Sequence, residues 1–307
     1  MLSGYKISNT FALLNISVYV DKFPISLMSK YRIVIESGTE NSNYWKDLWK
    51  YKGLFYFLAW RDILVRYKQT AIGVLWSVIR PLLTIFVMYF IGWLFGSKVP
   101  DGVPRILLVC AATLPWQFFS SSFSETSNSL IVNSNLLTKV YFPRLIVPAS
   151  TVIVCLIDFL ISFVILIGFM VYYQYIPDYK MLFLPLFLLL AIITSMGTGL
   201  YISALNVKYR DFRYIIPFVV QFGLYVSPVA FSSNDIFKSE KIPEYVKYIY
   251  SLNPMVGVID GFRWCILGGE TTIFIPGFIV SIAISILFLF IGIWYFRKME
   301  KTFADII

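Results

Sequence analysis

The stretch from Met181 to Asn206 reads MLFLPLFLLLAIITSMGTGLYISALN and has no charged side chain from end to end. As a helix rising about 1.5 Å per residue, it is long enough to cross the ~30 Å hydrocarbon core of a bilayer. Hydrophobic residues make up 58% of the 307-residue chain and charged residues 14%. In soluble domains roughly 45–50% of the residues are apolar and about a quarter are charged. Because the apolar residues lie in long runs and not in short alternating segments, the sequence predicts an all-α integral membrane protein.

Hydropathy divides the chain into six predicted spanning helices in a membrane domain from residue 71 to residue 307. The spans are Ile72–Phe95, Ile106–Leu130, Leu145–Tyr172, Met181–Asn206, Tyr214–Phe231 and Ile273–Phe296. The short connections Gly96–Arg105 and Tyr173–Lys180 predict antiparallel neighbours. The sequence has no convincing internal repeat, which speaks against a secondary transporter built from two inverted halves.

Two segments precede the first predicted span. Residues 1–43 are a mixed, polar-punctuated extension that we expect to be retained, and their role is unassigned. Residues 44–70 are rich in aromatic and basic side chains, and apolar residues recur at helical spacing. These are Leu48, Tyr51, Phe55 and Leu58. Trp and Tyr beside Lys and Arg favour an interfacial helix, with Gly53 as a breakpoint; the alternative is a soluble amphipathic helix packed on a partner.

The distribution of Lys and Arg predicts the orientation. Basic residues concentrate before the first span, between the second and third, between the fourth and fifth, and after the sixth. The positive-inside rule therefore puts both termini in the cytoplasm. Ser232–Thr272 then lies outside, and its part at about 240–269 is apolar but interrupted by polar residues. A re-entrant hairpin is the predicted structure, and a surface amphipathic loop is the alternative.

The composition excludes several kinds of chemistry. The chain has no histidine, so imidazole catalysis and His metal ligands are excluded. No glycine is followed by lysine, so the chain has no P-loop, and Cys110, Cys155 and Cys265 are scattered singly. We therefore predict no catalytic residues, no metal and no cofactor in this chain. The net charge of +9 indicates orientation and contact with lipid headgroups more than nucleic-acid binding.

Charges and aromatic rings inside the spans supply the candidate substrate pathway. Asp158 lies deep in the third span and Arg80 lies in the first. Such residues usually face a bundle interior or water and find partners. Asp158 therefore belongs to a wet pathway or a helix-locking pair, or it simply forms hydrogen bonds with neighbours such as Ser162 or with a facing helix. Rings pack on the apolar faces of sugars, although most rings in a membrane protein face lipid. The candidate channel residues are Trp76, Tyr89, Trp116, Phe119, Asp158 and Trp264.

Five stretches in sequence order resemble a known family. They are RDILVRYKQTAIGVLWSVIRP (Arg61–Pro81), LTKVYFPR (Leu137–Arg144), NVKYRD (Asn206–Asp211), NPMVGVIDGFR (Asn253–Arg263) and EKTFAD (Glu300–Asp305). They look like the permeases of polysaccharide ABC exporters, which belong to the type-2 ABC membrane family and carry O-antigen, capsule or teichoic-acid chains. The resemblance covers roughly residues 44–307.

The resemblance implies a homodimeric permease in the bacterial inner membrane, with two ATPase subunits that hold the ATP and Mg. The cargo is then a lipid-linked polysaccharide. The segment ending at Arg66, Tyr67, Lys68 and Gln69 is implied to be a gate helix that contacts the ATPase. The second implied coupling element comprises Lys208, Tyr209, Arg210, Asp211 and Arg213. The alternatives are the same architecture with another cargo (teichoic acid, lipid or drug), an integral membrane glycosyl or acyl transferase, and a structural scaffold.

Overall fold

The computed structural model describes residues 44–68, 73–96, 99–100, 102–268, 273–300 and 302–303. Within these ranges every regular element is a helix and no strand occurs, which confirms the all-α prediction. The helices are α1 (Tyr44–Lys50), α2 (Lys52–Lys68), α3 (Gly73–Leu94), α4 (Arg105–Val132), α5 (Ser134–Lys139), α6 (Ile146–Tyr172), α7 (Leu184–Lys208), α8 (Phe212–Val226), α9 (Asn234–Phe237), α10 (Glu244–Ser251), α11 (Pro254–Leu267) and α12 (Ile275–Glu300). A 3-10 turn at Tyr179–Phe183 leads into α7. The predicted extension 1–43 and Gln69 lie outside the described residues.

Five helices in the described chain are long and apolar enough to cross a membrane. They are Leu75–Leu94, Arg105–Val132, Ile146–Tyr172, Tyr179–Lys208 and Ile275–Glu300. The predicted fifth span corresponds to α8, which has 15 residues and is therefore only about 22 Å long. Helix α8 is shorter than the roughly 20 residues that a straight span requires, so the count of six stays a prediction.

Helix α4 is the centre of the bundle. It is buried along nearly its whole length and packs against α6 on one side and α7 on the other. Helix α7 in turn packs against α12, and α3 lies on α4. Helices α6 and α7 are joined by a short connection, but both pack extensively against α4 and only slightly against each other.

Hydroxyl groups and close backbone approaches join the central helices. Ser122 of α4 donates to Ser195 of α7 at 3.0 Å, and Thr194 of α7 donates to Ser285 of α12 at 2.9 Å. Small residues and interhelical hydrogen bonds are the usual means by which helices associate in lipid. A Cβ on Gly197 would lie 2.5 Å from the Leu289 amide nitrogen, so α7 and α12 are in backbone contact there.

Helices α1 and α2 pack on one end of the bundle through the apolar stripe that the sequence predicts. Leu58 is buried, and Leu48, Tyr51 and Phe55 lie against the same cluster. The helix is interrupted at Tyr51, between α1 and α2, whereas Gly53 lies inside α2. The cluster also contains Leu130 of α4, Phe142 of the loop that precedes α6, Ile146 of α6, Val207 of α7 and Phe296 of α12.

A polar clamp closes this end of the bundle. The Glu300 carboxylate accepts a hydrogen bond from the Arg144 amide at 2.8 Å and one from the Tyr44 hydroxyl at 3.3 Å. The Arg144 guanidinium also donates to the Glu300 carbonyl at 2.8 Å, and Arg297 lies over the Tyr44 ring. Two of the five resembling stretches, Leu137–Arg144 and Glu300–Asp305, therefore meet through Glu300.

Helix α11 is buried at the other end. Asn253 caps it by accepting from the Met255 amide at 3.0 Å, and Pro254 occupies the first turn, where its missing N–H costs nothing. A Cβ on Gly261 would overlap the Phe187 ring, so glycine is required for α11 to contact α7. Arg263 is 2% exposed and donates to the carbonyls of Leu108, Val229 and Phe231.

This burial decides one alternative for the outer segment. Pro254–Leu267 packs against α4, α7 and α12 with most of its side chains buried, so it is not a surface loop. Helices α10 and α11, joined at Leu252 and Asn253, occupy the predicted hairpin. Whether they enter the bilayer from outside stays a prediction.

Candidate functional site

A cavity of about 1060 Å³ lies among α2, α3, α4 and α6. Its polar lining includes Arg66, Ser77, Arg80, Gln117, Glu125 and Asp158. Hydroxyl, amide and charged groups therefore converge among helices of which three are long and apolar enough to cross a membrane. A cavity with a few convergent polar groups is the usual form of a binding site.

Asp158 forms the wall of this cavity and links three helices. Its carboxylate accepts from the Arg66 guanidinium at 2.6 Å and from the Tyr67 hydroxyl at 2.5 Å, both from the last turn of α2. It also accepts from the Ser77 hydroxyl of α3 at 3.0 Å. Ser162 donates to the Asp158 backbone carbonyl at 3.0 Å and not to the carboxylate. Asp158 therefore joins α6 to the facing helices α2 and α3, and its place in a substrate pathway stays a prediction.

Arg66 bridges two carboxylates across the cavity. Besides Asp158, it bonds to Glu125 of α4 at 2.5 Å. Burial alone lowers the pKa of the Arg66 guanidinium, but the charges of Asp158 and Glu125 raise it by more, and the net shift is upward. Burial, followed by the hydrogen bond to Asp158 and its charge, raises the pKa of Tyr67 to about 12. Both groups are therefore protonated donors at neutral pH, as the geometry requires.

A second contact fixes α2 one turn earlier. Arg61 donates to the Asn133 side chain at 2.8 Å, and Asn133 is the residue between α4 and α5. Arg61 also pairs with the adjacent Asp62. Helix α2 is thus held by arginines at two positions, on the end of α4 and on the middle of α6.

The candidate channel residues do not form one site. Trp76 and Asp158 line the cavity, whereas Trp116 and Phe119 are buried against each other, with ring centroids 5.5 Å apart. Tyr89 is 38% exposed on α3 and does not line the cavity. The sixth candidate, Trp264 of α11, packs against the two phenylalanines at 183 and 187, and its ring centre lies 5.2 Å from the Lys180 ammonium.

The candidate coupling residues fall into two groups. Arg66 and Tyr67 bond within the chain, while Lys68 is exposed. Lys208, Tyr209, Arg210, Asp211 and Arg213 are all exposed where α7 passes into α8. The preceding Asn206 is buried and donates to the Ser127 carbonyl at 3.1 Å, which anchors this exposed turn to α4. The role of the exposed turn Lys208–Arg213 in coupling stays a prediction.

Sequence reasoning missed Glu125. Only Asp158 and Arg80 were recognised as charges inside the spans, but Glu125 lies within the predicted second span, Ile106–Leu130. A search for every ionisable residue between span boundaries finds it at once. The pairing with Arg66 has no comparable signal, because the two residues are 59 positions apart.

A family model described as ABC-2 type transporter matches residues 53–267. The chain belongs to the ABC-2 type transporter family. It is 28% identical over 255 residues to an O-antigen export system permease protein RfbA of Klebsiella pneumoniae, covering 80% of this chain and 92% of that one. It is 25% identical over 219 residues to the RfbA protein of the same description from Myxococcus xanthus, covering 71% and 82%.

The name of a third relative specifies a different cargo. The chain is 26% identical over 257 residues to the polysialic acid transport protein KpsM of Escherichia coli, covering 79% of this chain and 92% of that one. The family resemblance inferred from the five stretches is therefore confirmed. With its apolar helices, this ABC-2 transporter chain is a multi-pass membrane protein, and its relatives are named as transport components, not as enzymes.

Proposed function

We propose that this chain is the permease of an ATP-driven exporter that moves a lipid-linked polysaccharide, such as an O-antigen, from the cytoplasm across the bacterial inner membrane. The observation that carries the proposal is the similarity to an O-antigen export permease and to a polysialic acid transport protein, in each case over 92% of that protein's length. It is supported by a polar cavity among helices long enough to span a membrane.

The chemistry of the cavity suits a glycan. Gln117, Ser120 and Ser121 of α4 line it opposite the charged cluster on α2 and α6. Amide and hydroxyl groups both donate and accept hydrogen bonds, as sugar hydroxyls do. Trp76 adds a ring beside these groups, and such rings pack on the apolar faces of sugars.

The proposed assembly is a homodimer with two ATPase subunits, which bind the ATP and Mg. Membership of the ABC-2 family implies an ATP-binding partner. The exposed, mostly basic turn at Lys208–Arg213 suits the docking surface for that partner, and α2 is the proposed gate helix. Arg66 and Tyr67 then act by fixing α2 on α6, and Lys68 is the nearest exposed residue to contact the partner.

The proposed topology has six spans, a re-entrant α10–α11 hairpin and both termini in the cytoplasm. A single cysteine at Lys46 (before α2) and another at Glu240 (between α8 and α10) test it, because both positions are exposed and the three native cysteines are buried. We expect an impermeant maleimide to label position 240, but not position 46, in intact spheroplasts. Equal protection of both positions would show that α8 does not cross the membrane.

The proposal is tested first by affinity co-purification from the native membrane. A P-loop ATPase at equal copy number is the expected result. The double variant Arg210→Ala with Asp211→Ala should lose the ATPase while keeping its own melting temperature, because both side chains are exposed.

The matched control for that variant is Glu240→Ala with Lys241→Ala. It removes the same two charges from an exposed segment on the predicted outer side, and we expect full ATPase recovery. A clean preparation without any ATPase, repeated in lipid nanodiscs, would refute the exporter assignment. ATPase recovery that is unchanged in the Arg210 and Asp211 variant would refute only the docking surface.

The same architecture with another cargo is the second candidate, because relatives with different cargoes share similar identity with this chain. Teichoic acid, a lipid or a drug are the alternatives. Stimulation of the partner's ATPase by a purified lipid-linked glycan, and not by the lipid alone, distinguishes the proposed cargo. A transferase is disfavoured because it would need a histidine base or an acidic metal-binding cluster, and the chain has no histidine.

A further inference from the structure

Arg80 occupies the mouth of the cavity in an unusual setting. It lies on α3, five residues into the candidate span that begins at Leu75, or about 7.5 Å along the helix. This depth is close to the membrane interface, where arginine side chains reach lipid headgroups. Arg80 is exposed, so its guanidinium faces the cavity and its surroundings instead of being buried in protein.

The other arginines of the cavity have anionic partners. Arg61 is paired with Asp62 at 2.7 Å, and Arg66 is shared by Glu125 and Asp158. Among the described residues, no carboxylate lies within 4.0 Å of the Arg80 guanidinium. The three carboxylates that line the cavity are already engaged, so the charge of Arg80 is available to an external anion.

The groups around Arg80 define what that anion resembles. Its guanidinium lies 5.7 Å from the centre of the Trp76 ring one turn earlier on α3, an arrangement that orients the planar fork. Such a fork matches the oxygens of a phosphate in a bidentate manner. Thr84 and Ser121 also line the cavity. Their hydroxyls donate to the Arg80 and Gln117 backbone carbonyls, so their oxygens can accept hydrogen bonds from a polar group attached to the phosphate.

We propose that Arg80 and Trp76 bind the phosphate group of an amphipathic lipid, whose polar part enters the cavity while its chain stays in the bilayer. The proposal rests on the proposed function in one respect, because a lipid-linked glycan is one source of such a phosphate. The headgroup of a membrane phospholipid is the other source. Both present a phosphate ester at the depth of Arg80.

The test measures binding of defined lipids to the purified full-length chain in a neutral detergent, by tryptophan fluorescence. The probes are a polyprenyl phosphate, the corresponding polyprenol without phosphate, and a phosphatidylglycerol. We expect Arg80→Gln to weaken binding of the polyprenyl phosphate by at least about tenfold, as expected for loss of a charge-assisted hydrogen bond. Arg80→Lys keeps the charge but loses the planar guanidinium, so its affinity for the polyprenyl phosphate should lie between those of wild type and Arg80→Gln.

Lys298→Gln is the matched control. Lys298 also lies over a ring, that of Trp294 at 5.2 Å, is exposed and is outside the cavity, so its loss should leave binding unchanged. Polyprenyl phosphate bound at least tenfold more tightly than phosphatidylglycerol assigns the site to the carrier of the cargo. Equal binding of the two, both dependent on Arg80, assigns it to membrane phospholipid.

Two results would overturn the inference. One is equal affinity of wild type and Arg80→Gln for the polyprenyl phosphate, with both proteins monodisperse and of equal melting temperature. The other is polyprenol bound as tightly as its phosphate. Either result alongside a co-purified ATPase would leave the exporter assignment intact. Arg80-dependent binding without any ATPase would instead support the phosphate site and refute the exporter assignment.

Discussion

The sharpest consequence of the structure concerns Asp158→Asn, which keeps the shape of the side chain but removes its charge. One of the two oxygens becomes an NH₂ donor, which faces the Arg66 guanidinium if it replaces Oδ2, or the Tyr67 and Ser77 hydroxyls if it replaces Oδ1. Hydrogen bonds to charged groups contribute about 1.5–3 kcal/mol. Arg66 keeps its bond to Glu125, and the Arg66 and Asp158 side chains are 28% and 27% exposed, so solvent screening reduces the loss. We expect a destabilisation of about 1–2 kcal/mol.

The assay is the melting temperature of the purified protein in detergent, scanned at one fixed rate because membrane proteins of this size often unfold irreversibly. At about 2–4 °C per kcal/mol for a chain of this size, Asp158→Asn should melt roughly 2–8 °C below wild type. Glu125→Gln should cost less, since the Glu125 side chain is 47% exposed. Glu240→Gln, at an exposed position outside the helices, is the control and should change nothing measurable.

A double-mutant cycle identifies the partner. Arg66→Gln combined with Asp158→Asn should be less destabilising than the sum of the two single changes, with a coupling of about 1 kcal/mol. Amide hydrogen exchange should also accelerate in the last turn of α2 and not in α1, which is held at Tyr44 by Glu300. Strict additivity of the two substitutions, or a melting temperature for Asp158→Asn within 1 °C of wild type, would show that the Arg66–Asp158 pair does not stabilise the packing of α2 on α6.

Three further outcomes follow from particular contacts. Gly197→Ala should lower the melting temperature, with overpacking costing about 1–3 kcal/mol, whereas Gly168→Ala, where a Cβ meets nothing within 4 Å, should leave it unchanged or slightly raised. Arg263→Gln strands buried carbonyls at about 1–3 kcal/mol each, and should reduce the monodisperse yield in size-exclusion chromatography. Because the folded pKa of Tyr67 is about 12, above the usual 10, its stabilising effect is complete below pH 10 and lost as pH rises through 12. Thermal scans from pH 9 to 12 should show a loss of stability for wild type and for the control Tyr214→Phe. In Tyr67→Phe this loss of stability should be smaller by about 1 kcal/mol.

Much of the fold is predictable because hydropathy is a local property. Five of the six predicted spans correspond to helices within a few residues of their predicted bounds, since a segment that is apolar throughout needs no tertiary information to form a span. Helix α8 departs from this rule. It ends at Val226, before Ser227, whose hydroxyl accepts from Asn253 at 3.0 Å. That contact joins distant segments, and hydropathy does not register it.

The candidate site was predictable only in part for the same reason. Asp158 stands out as a lone charge in an apolar run, and Arg66 belongs to a stretch with a family resemblance. Neither signal indicates that they bond to each other across 92 residues. The aromatic candidates were chosen by their neighbours in sequence, and Trp116 shows the weakness of that criterion. Its ring is 4% exposed because it packs over Gly223 of α8, a contact that no local pattern reveals.

The positions of the resembling stretches separate two tasks within α2 and its surroundings. Arg66 and Tyr67 would be costly to expose, since Asp158 would then lose two of its donors inside the bundle. By contrast, Arg210 and Asp211 have no such internal partners among the described residues and can contact another subunit at no cost to the fold. Helix α7, which precedes that turn, packs along α4, and α4 carries Glu125 to Arg66. Under the proposed function, a force applied at the exposed turn therefore has a continuous packed route to the cavity, in addition to the direct contact proposed for Lys68 at the end of α2.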